Sequence, residues 1–350
     1  MSPETYGAGA RLFHKIALSG RATPEMFFDI EKAMHGRDCA DATDGAHVFV
    51  SGLARSGTTL LMRMLHDTGA FASLTYRDMP LVMAPNFWRG ISGAFQKSMT
   101  RRERAHGDGL EVDYDSPEAL EEVFWRTFCG PDYIGADKLC PMTADDDVIA
   151  EFRLYIALVL KRYARSRYLS KNNNSILRLS SILKAFPNAT ILIPFREPAD
   201  QAKSLLRQHK QFTKTHAEDV FSRQYMGWLA HHEFGGDQRR LVFDGGDASA
   251  YGDPGQLSYW LDLWIDAYAY LMQQADALGD QLVFFSYERF TDAPEETRAR
   301  LLARLGLEST AALEVRDRPK DNSDPPPLAR LNEAQALYHV MTDRGRAVLS

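Results

Sequence analysis

The chain has 350 residues, is 45% hydrophobic, 25% charged and 11% aromatic, and carries a formal net charge of −6. This balance excludes a disordered chain and speaks against a nucleic-acid binder, which would present a basic face. The three cysteines, Cys39, Cys129 and Cys140, cannot build a disulfide framework and show no metal-ligand spacing, a usage that fits a reducing compartment.

Length allows one large α/β domain or two smaller ones. The longest apolar stretch, residues 154–160, is far short of a bilayer span, and the N-terminus lacks an apolar core of signal-peptide length. A cytoplasmic protein is therefore expected.

Residues 5–36 read as an amphipathic helical cover, so 1–45 is set apart from a single α/β domain over 46–310, with 311–350 as a C-terminal tail. AHVFVSG (46–52) is a buried strand ending in glycine, followed by a Gly/Ser/Thr turn and a helix from about Thr58 to His66, closed by Gly69. Residues 71–135 are aromatic-rich, with Tyr76, Phe87, Trp88, Phe95, Tyr114, Phe124, Trp125, Phe128 and Tyr133. Ser116-Pro117-Glu118 predicts a helix start and Gly130 a stop. Helices are expected over 148–165, 176–186 and 198–212, with longer helical regions at 216–234 and 256–278. Strands are expected at RYLSK (167–171), ATILIPF (189–195) and QLVFFSY (281–287). A helix opens near Asp292 and stops at Gly306, and Arg316 to Pro327 reads as loop. Apolar strands alternating with helices predict an α/β fold: a mostly parallel central sheet with helices on both faces and ligands at the carboxyl ends of the strands.

Gly52-Leu-Ala-Arg-Ser-Gly57-Thr58-Thr59 follows a strand and opens a helix, which is P-loop spacing. Consecutive backbone N–H groups and the positive helix terminus then converge on one anion, and glycine lets the backbone approach it. Two departures set this loop apart from that of an NTPase. Thr58 stands where the nucleotide-binding lysine would be, and the strongest strand ends in Arg196 rather than in a magnesium-binding aspartate. Arg196 and Ser204, eight positions apart across a strand end and the following helix, can share a second anion. Two anion sites imply a ligand phosphorylated at two ends.

Together GLARSGTTLL and FREPADQAKSLL resemble the two signature elements of sulfotransferases that use 3′-phosphoadenosine 5′-phosphosulfate (PAPS), in their broad, mostly bacterial branch. The resemblance follows the order of elements from about 46 to 306 and implies a P-loop-like sulfotransferase architecture. It implies transfer of a sulfuryl group from PAPS, without a metal, to a hydroxyl or amine of a partly apolar small-molecule or glycan acceptor, giving adenosine 3′,5′-bisphosphate. Arg55, Ser56, Gly57, Thr58 and Thr59 would hold the 5′-phosphosulfate, with Arg55 also meeting the leaving-group charge. Arg196 and Ser204 would hold the 3′-phosphate, and Tyr287 would lie near the adenine.

Asp78, soon after the first helix, is the candidate base by the same resemblance, the alternative being a turn residue before Met-Pro. Lys171, ending a strand, stands where the family often has a lysine facing the transferred group, although Asn173 replaces the usual proline. Asn172 is a further hydrogen-bond donor there, and solvation at the sheet edge is the alternative role for Lys171. His66 reads as a packed or capping residue, His209 approaches the acceptor side, and His231-His232-Glu233 lacks a third ligand at metal spacing. The basic C-terminal element of the family's cytosolic branch is missing; Arg316, Arg318 and Lys320, the basic cluster in the tail, read as a solvated charge run, with substitution for that element as the alternative. Residues 71–135 and 216–275 would form the acceptor pocket and lid. Rival functions are a P-loop small-molecule kinase and a non-catalytic nucleotide-binding protein.

Overall fold

The structure, a computed structural model, describes residues 6–92, 102–103, 111–112, 119–243, 245–308 and 328–349. Side chains alternate across a strand, and here both sets are apolar. Val48, Val50, Leu192, Val283 and Phe285 enter one core, whereas Phe49, Ile191, Ile193 and Phe284 enter the other. A sheet apolar on both faces must be covered on both, and the connecting helices do this.

The strands are β1 (Val48–Val50), β2 (Phe71–Ala72), β3 (Arg167–Lys171), β4 (Thr190–Phe195) and β5 (Leu282–Ser286), all parallel, in the order β2-β3-β1-β4-β5. One face is covered by α1 (Thr58–His66) and by the helices Tyr287–Asp292 and Pro294–Arg304. The larger core takes in α2 (Glu122–Tyr133), α3 (Asp146–Tyr163), α4 (Pro198–Glu218), α5 (Leu257–Leu278) and α6 (Leu331–Leu349). The crossover after β1 leads towards β2, and the one after β4 leads the opposite way, to β5. That reversal opens a crevice between the carboxyl ends of β1 and β4, where ligands bind in such sheets.

The structure changes several expected boundaries. The N-terminal cover is two helices, Ala8–Leu18 and Ala22–His35. Gly130 does not stop α2, which continues through Pro131 to Tyr133. Proline has no N–H for the carbonyl of Thr127, and Arg21 Nε donates to that oxygen at 2.7 Å instead. The helix after β4 runs to Glu218, where Asp219 breaks the chain and caps Val220–Trp228 through the N–H of Phe221. Tyr287 starts a helix capped by Ser286 rather than ending a strand. Part of the expected tail is α6, with Ala334 and Met341 fully buried. Gly345 lets α6 approach β5 closely: a Cβ there would sit 2.6 Å from the Phe284 carbonyl oxygen. The expected helix start at 116–118, Phe95, Tyr114 and the Arg316–Arg318–Lys320 cluster lie outside the described residues.

Candidate active site

The loop from β1 to α1 turns through left-handed backbone at Arg55 (φ 69°) and Gly57 (φ 97°). A Cβ on Gly57 would come within 2.8 Å of the Tyr287 ring, and one on Gly52 within 3.1 Å of the Pro194 carbonyl oxygen. Glycine at these two positions therefore lets the loop close against β4 and Tyr287. Ser56 spends its hydroxyl on the loop, donating to the Leu53 carbonyl at 2.8 Å. The start of α1 at Thr58 and Thr59 directs helix-end N–H groups and the positive dipole end at the crevice.

The second segment is tied to this loop. Arg55 Nε donates to Ser204 Oγ at 3.1 Å. Gln201, fully buried on α4, donates to the Ala54 carbonyl at 3.0 Å and accepts from the Arg196 N–H (3.3 Å) and the Trp264 indole (3.0 Å). The Arg196 guanidinium carbon lies 5.3 Å from the Tyr287 ring centre, and Nη2 lies 3.3 Å from Asp200. Glu197 caps α4 by accepting the Asp200 N–H at 2.7 Å, and burial raises its carboxyl above the ordinary range despite that bond. Behind it, Glu288 accepts the Glu197 N–H (2.8 Å) and the Tyr338 hydroxyl of α6 (2.9 Å). The structure thus brings Arg55, Ser56, Gly57, Thr58, Thr59, Arg196, Ser204 and Tyr287 to one crevice. Lys171 joins them as the last residue of β3, in register with Val50 and buried, while the Asn172 N–H donates to the Val50 carbonyl at 3.0 Å.

Asp78 is engaged elsewhere. Its Oδ2 accepts the Thr75 N–H at 2.8 Å, forming a capping box, and the Tyr163 hydroxyl. Arg162 Nε lies 3.7 Å from Oδ1, and the side chain is 1% exposed. Burial raises the pKa of this carboxyl, and its enclosure leaves no face for an acceptor. The Asn172 amide is likewise engaged, donating to Glu122 at 2.6 Å.

Glu122 is a buried hub that the sequence reading passed over. It accepts from Arg178, Asn174, Asn172 and Tyr133, and Arg178 lies over the rings of Trp125 and Tyr133. The available signal was a charge inside the apolar run that opens α2. The aromatics of that helix serve packing: Phe124 stacks on Tyr155 (5.2 Å) and Trp125 lies against Phe152 (4.4 Å).

The histidines differ in what holds them. His66 lies near the surface beside Asp67. His209 packs on Trp260 and accepts the Gly235 N–H at 3.3 Å; burial lowers its pKa. His232 is buried, and burial together with the charge of Arg239 pulls its pKa down to about 4. Glu233 accepts from the Asn173 amide at 3.1 Å, and its other oxygen lies 3.6 Å from His231 Nδ1. Burial alone would raise the Glu233 carboxyl, but the bond and charge of His231 and the charge of Lys171 bring it down to about 2. Among the described residues, no group of three or more His, Cys, Asp or Glu side chains is placed to hold a metal ion, and no helix is long and apolar enough to cross a membrane.

Residues 47–242 match the profile of the Sulfotransferase family. No curated protein matches the sequence. Among solved structures, the chain is similar to sulfotransferase STF1 from Mycobacterium tuberculosis H37Rv, with 13% identity, a TM-score of 0.50, and 97% of this chain and 86% of that chain covered. It is also similar to sulfotransferase STF9 from Mycobacterium avium, with 12% identity, a TM-score of 0.45, and 99% and 86% covered. A sulfotransferase from Alicyclobacillus acidocaldarius gives 17% identity, a TM-score of 0.41, and 87% and 95% covered. The profile spans more than half of the sequence, including residues 52–59 and 196–204, and the chain belongs to the sulfotransferase family.

Proposed function

We propose that this protein moves a sulfuryl group from PAPS to a hydroxyl or amine of a partly apolar small-molecule or glycan acceptor, releasing adenosine 3′,5′-bisphosphate. The observation that carries this reading is the Arg55–Ser204 hydrogen bond, which joins the two anion-facing segments in one crevice. A ligand with phosphates at both ends can reach both segments from there.

The residues present fit such a ligand. Loop N–H groups with Thr58 and Thr59 would hold the 5′ end, with Arg55 placed to meet negative charge on the leaving phosphate. Arg196 and Ser204 would hold the 3′-phosphate, and the Tyr287 ring beside Arg196 offers a face for the adenine. Arg196 already meets Asp200, but a partly exposed i,i+4 pair contributes only about 0.3–0.5 kcal/mol. A charge-assisted bond to phosphate, at about 1.5–3 kcal/mol, outweighs it. Lys171 would face the transferred group from β3. When bound, PAPS supplies the activated sulfuryl group, and the protein orients it and keeps water out. The acceptor would enter over the strand ends, covered by residues 216–275.

Thermal melting tests this reading against a kinase. Adenosine 3′,5′-bisphosphate at a hundred times its Kd should stabilise the protein by about 2.7 kcal/mol. That is about 4 °C for a chain of this length, at roughly 2.1 cal/mol/K per residue. The shift should not require Mg²⁺. Stabilisation by ATP with Mg²⁺, and none by the bisphosphate, would refute the reading.

A further inference from the structure

We propose that His231 takes the acceptor's proton and that Glu233 orients it, an assignment that rests on the sulfuryl-transfer reading above. The loop carrying both residues follows the helix Val220–Trp228 and is fastened to the chain leaving β3 at two points. Asn174 Nδ2 donates to the Ala230 carbonyl at 3.1 Å, and Asn173 Nδ2 donates to Glu233 Oε1 at 3.1 Å. The His231 N–H is held by the Met226 carbonyl at 2.9 Å. These bonds set the His231–Glu233 pair beside the carboxyl end of β3, one strand from the phosphate loop, next to Lys171.

The pair places a carboxylate beside an imidazole, the order of an activated base. His231 Nδ1 lies 3.6 Å from Glu233 Oε2, so Nε2 is the nitrogen turned away from the carboxylate. The side chains are 23% and 18% exposed, open enough to receive an acceptor yet shielded on most sides. Three other titratable groups are committed. Asp78 is enclosed by Thr75 and Tyr163, His209 is engaged by Gly235, and His232 bonds the Asp237 carbonyl at 3.2 Å. Glu233 Oε2, 3.6 Å from Nδ1, places a carboxylate beside the imidazole to meet its positive charge once the proton has been taken.

In the step itself, the acceptor oxygen bonds to sulfur as its proton passes to His231 Nε2. The bond from sulfur to the bridging phosphate oxygen breaks, and its electron pair stays on adenosine 3′,5′-bisphosphate, where Arg55 meets the charge. No oxidant or reductant enters. A positioned base of this kind contributes roughly 10²–10⁴-fold in rate.

The test follows the His231 imidazole signal by NMR as adenosine 3′,5′-bisphosphate is added, alongside calorimetric affinity. It also measures release of the bisphosphate from PAPS, with 2-naphthol as acceptor, for wild type, His231→Ala and Glu233→Gln. We expect the signal to move on binding and both variants to keep the ligand's affinity within about threefold. kcat should fall roughly 100-fold in His231→Ala, with partial recovery in added imidazole. Glu233→Gln should lower kcat without changing the KM for PAPS, and imidazole should not rescue it. A ligand that binds while the His231 signal stays fixed, or a His231→Ala variant with wild-type kcat, overturns the assignment alone. Failure of the bisphosphate to bind wild type overturns the sulfuryl-transfer reading, and this assignment with it.

Discussion

Replacing Gly57 with alanine tests how the loop from β1 to α1 and the Tyr287 ring are coupled. Gly57 has φ 97°, and an added Cβ would meet Tyr287 Cδ2 at 2.8 Å. The backbone strain costs about 1–2 kcal/mol. Forcing a packed ring aside costs about 1–3 kcal/mol more. Gly69→Ala is the control, because its φ is 71° and nothing lies within 4 Å of its added Cβ. It should show the strain alone, about 1 kcal/mol. At roughly 2.1 cal/mol/K per residue the melting point should drop by about 3–7 °C for Gly57→Ala and by about 1–2 °C for Gly69→Ala. The displaced ring is the one facing Arg196, so Gly57→Ala should also bind adenosine 3′,5′-bisphosphate at least about tenfold more weakly, or 1.4 kcal/mol. Differential scanning calorimetry and titration calorimetry read the two effects. Equal melting losses in the two variants, with affinity unchanged in both, would refute the coupling of loop and ring.

Three further outcomes follow from the geometry. Asp78→Ala should lose about 1–3 kcal/mol of stability by denaturant titration, since the Thr75 N–H and Tyr163 hydroxyl lose their acceptor, while bisphosphate affinity stays unchanged; an unchanged midpoint with abolished turnover would return Asp78 to the reaction. Glu122→Ala should cost about 3–5 kcal/mol because it strands the buried Arg178 guanidinium, and a loss below 1 kcal/mol by the same method would contradict that account. His232 has a folded pKa near 4 against 6.5 unfolded, so the unfolded state binds more protons in that window and stability falls as pH drops through it, by about 3 kcal/mol in all. The gap between denaturation midpoints at pH 7 and pH 4.5 should therefore narrow in His232→Gln, the remainder belonging to His14, His47, His209 and His216, whose pKa values burial also lowers, and an unaltered gap would count against this role.

Much of the fold was legible because its signals are local. Arg167–Lys171 forms a strand over the expected residues, and Thr190–Phe195 over all but one of them, since short β-branched and aromatic runs bounded by polar turns have few other ways to be buried. The turn between β1 and α1 was legible for the same reason: glycine spacing, a preceding strand and a following helix are contiguous. What stayed hidden depends on distant partners. The surroundings of Asp78 are built by Tyr163, 85 residues away. The continuation of α2 past Gly130 depends on an arginine 106 residues earlier. Gln201 sits inside the recognised Arg196–Ser204 element, yet its role as a hub appears only when Ala54 and Trp264 are brought to it. In α6, an interior glycine weakens the local helix signal, while its purpose, close approach to Phe284, lies across the fold.

The central claim is that one nucleotide is gripped at both of its phosphorylated ends, and a calorimetric cycle tests it directly. Affinities of adenosine 3′,5′-bisphosphate and adenosine 5′-monophosphate are compared in wild type and in Arg196→Ala. Removing the 3′-phosphate should cost wild type about 1.5–3 kcal/mol, roughly 10- to 150-fold in Kd, and should cost Arg196→Ala almost nothing. The same loss in both proteins would place that phosphate away from Arg196 and contradict the account.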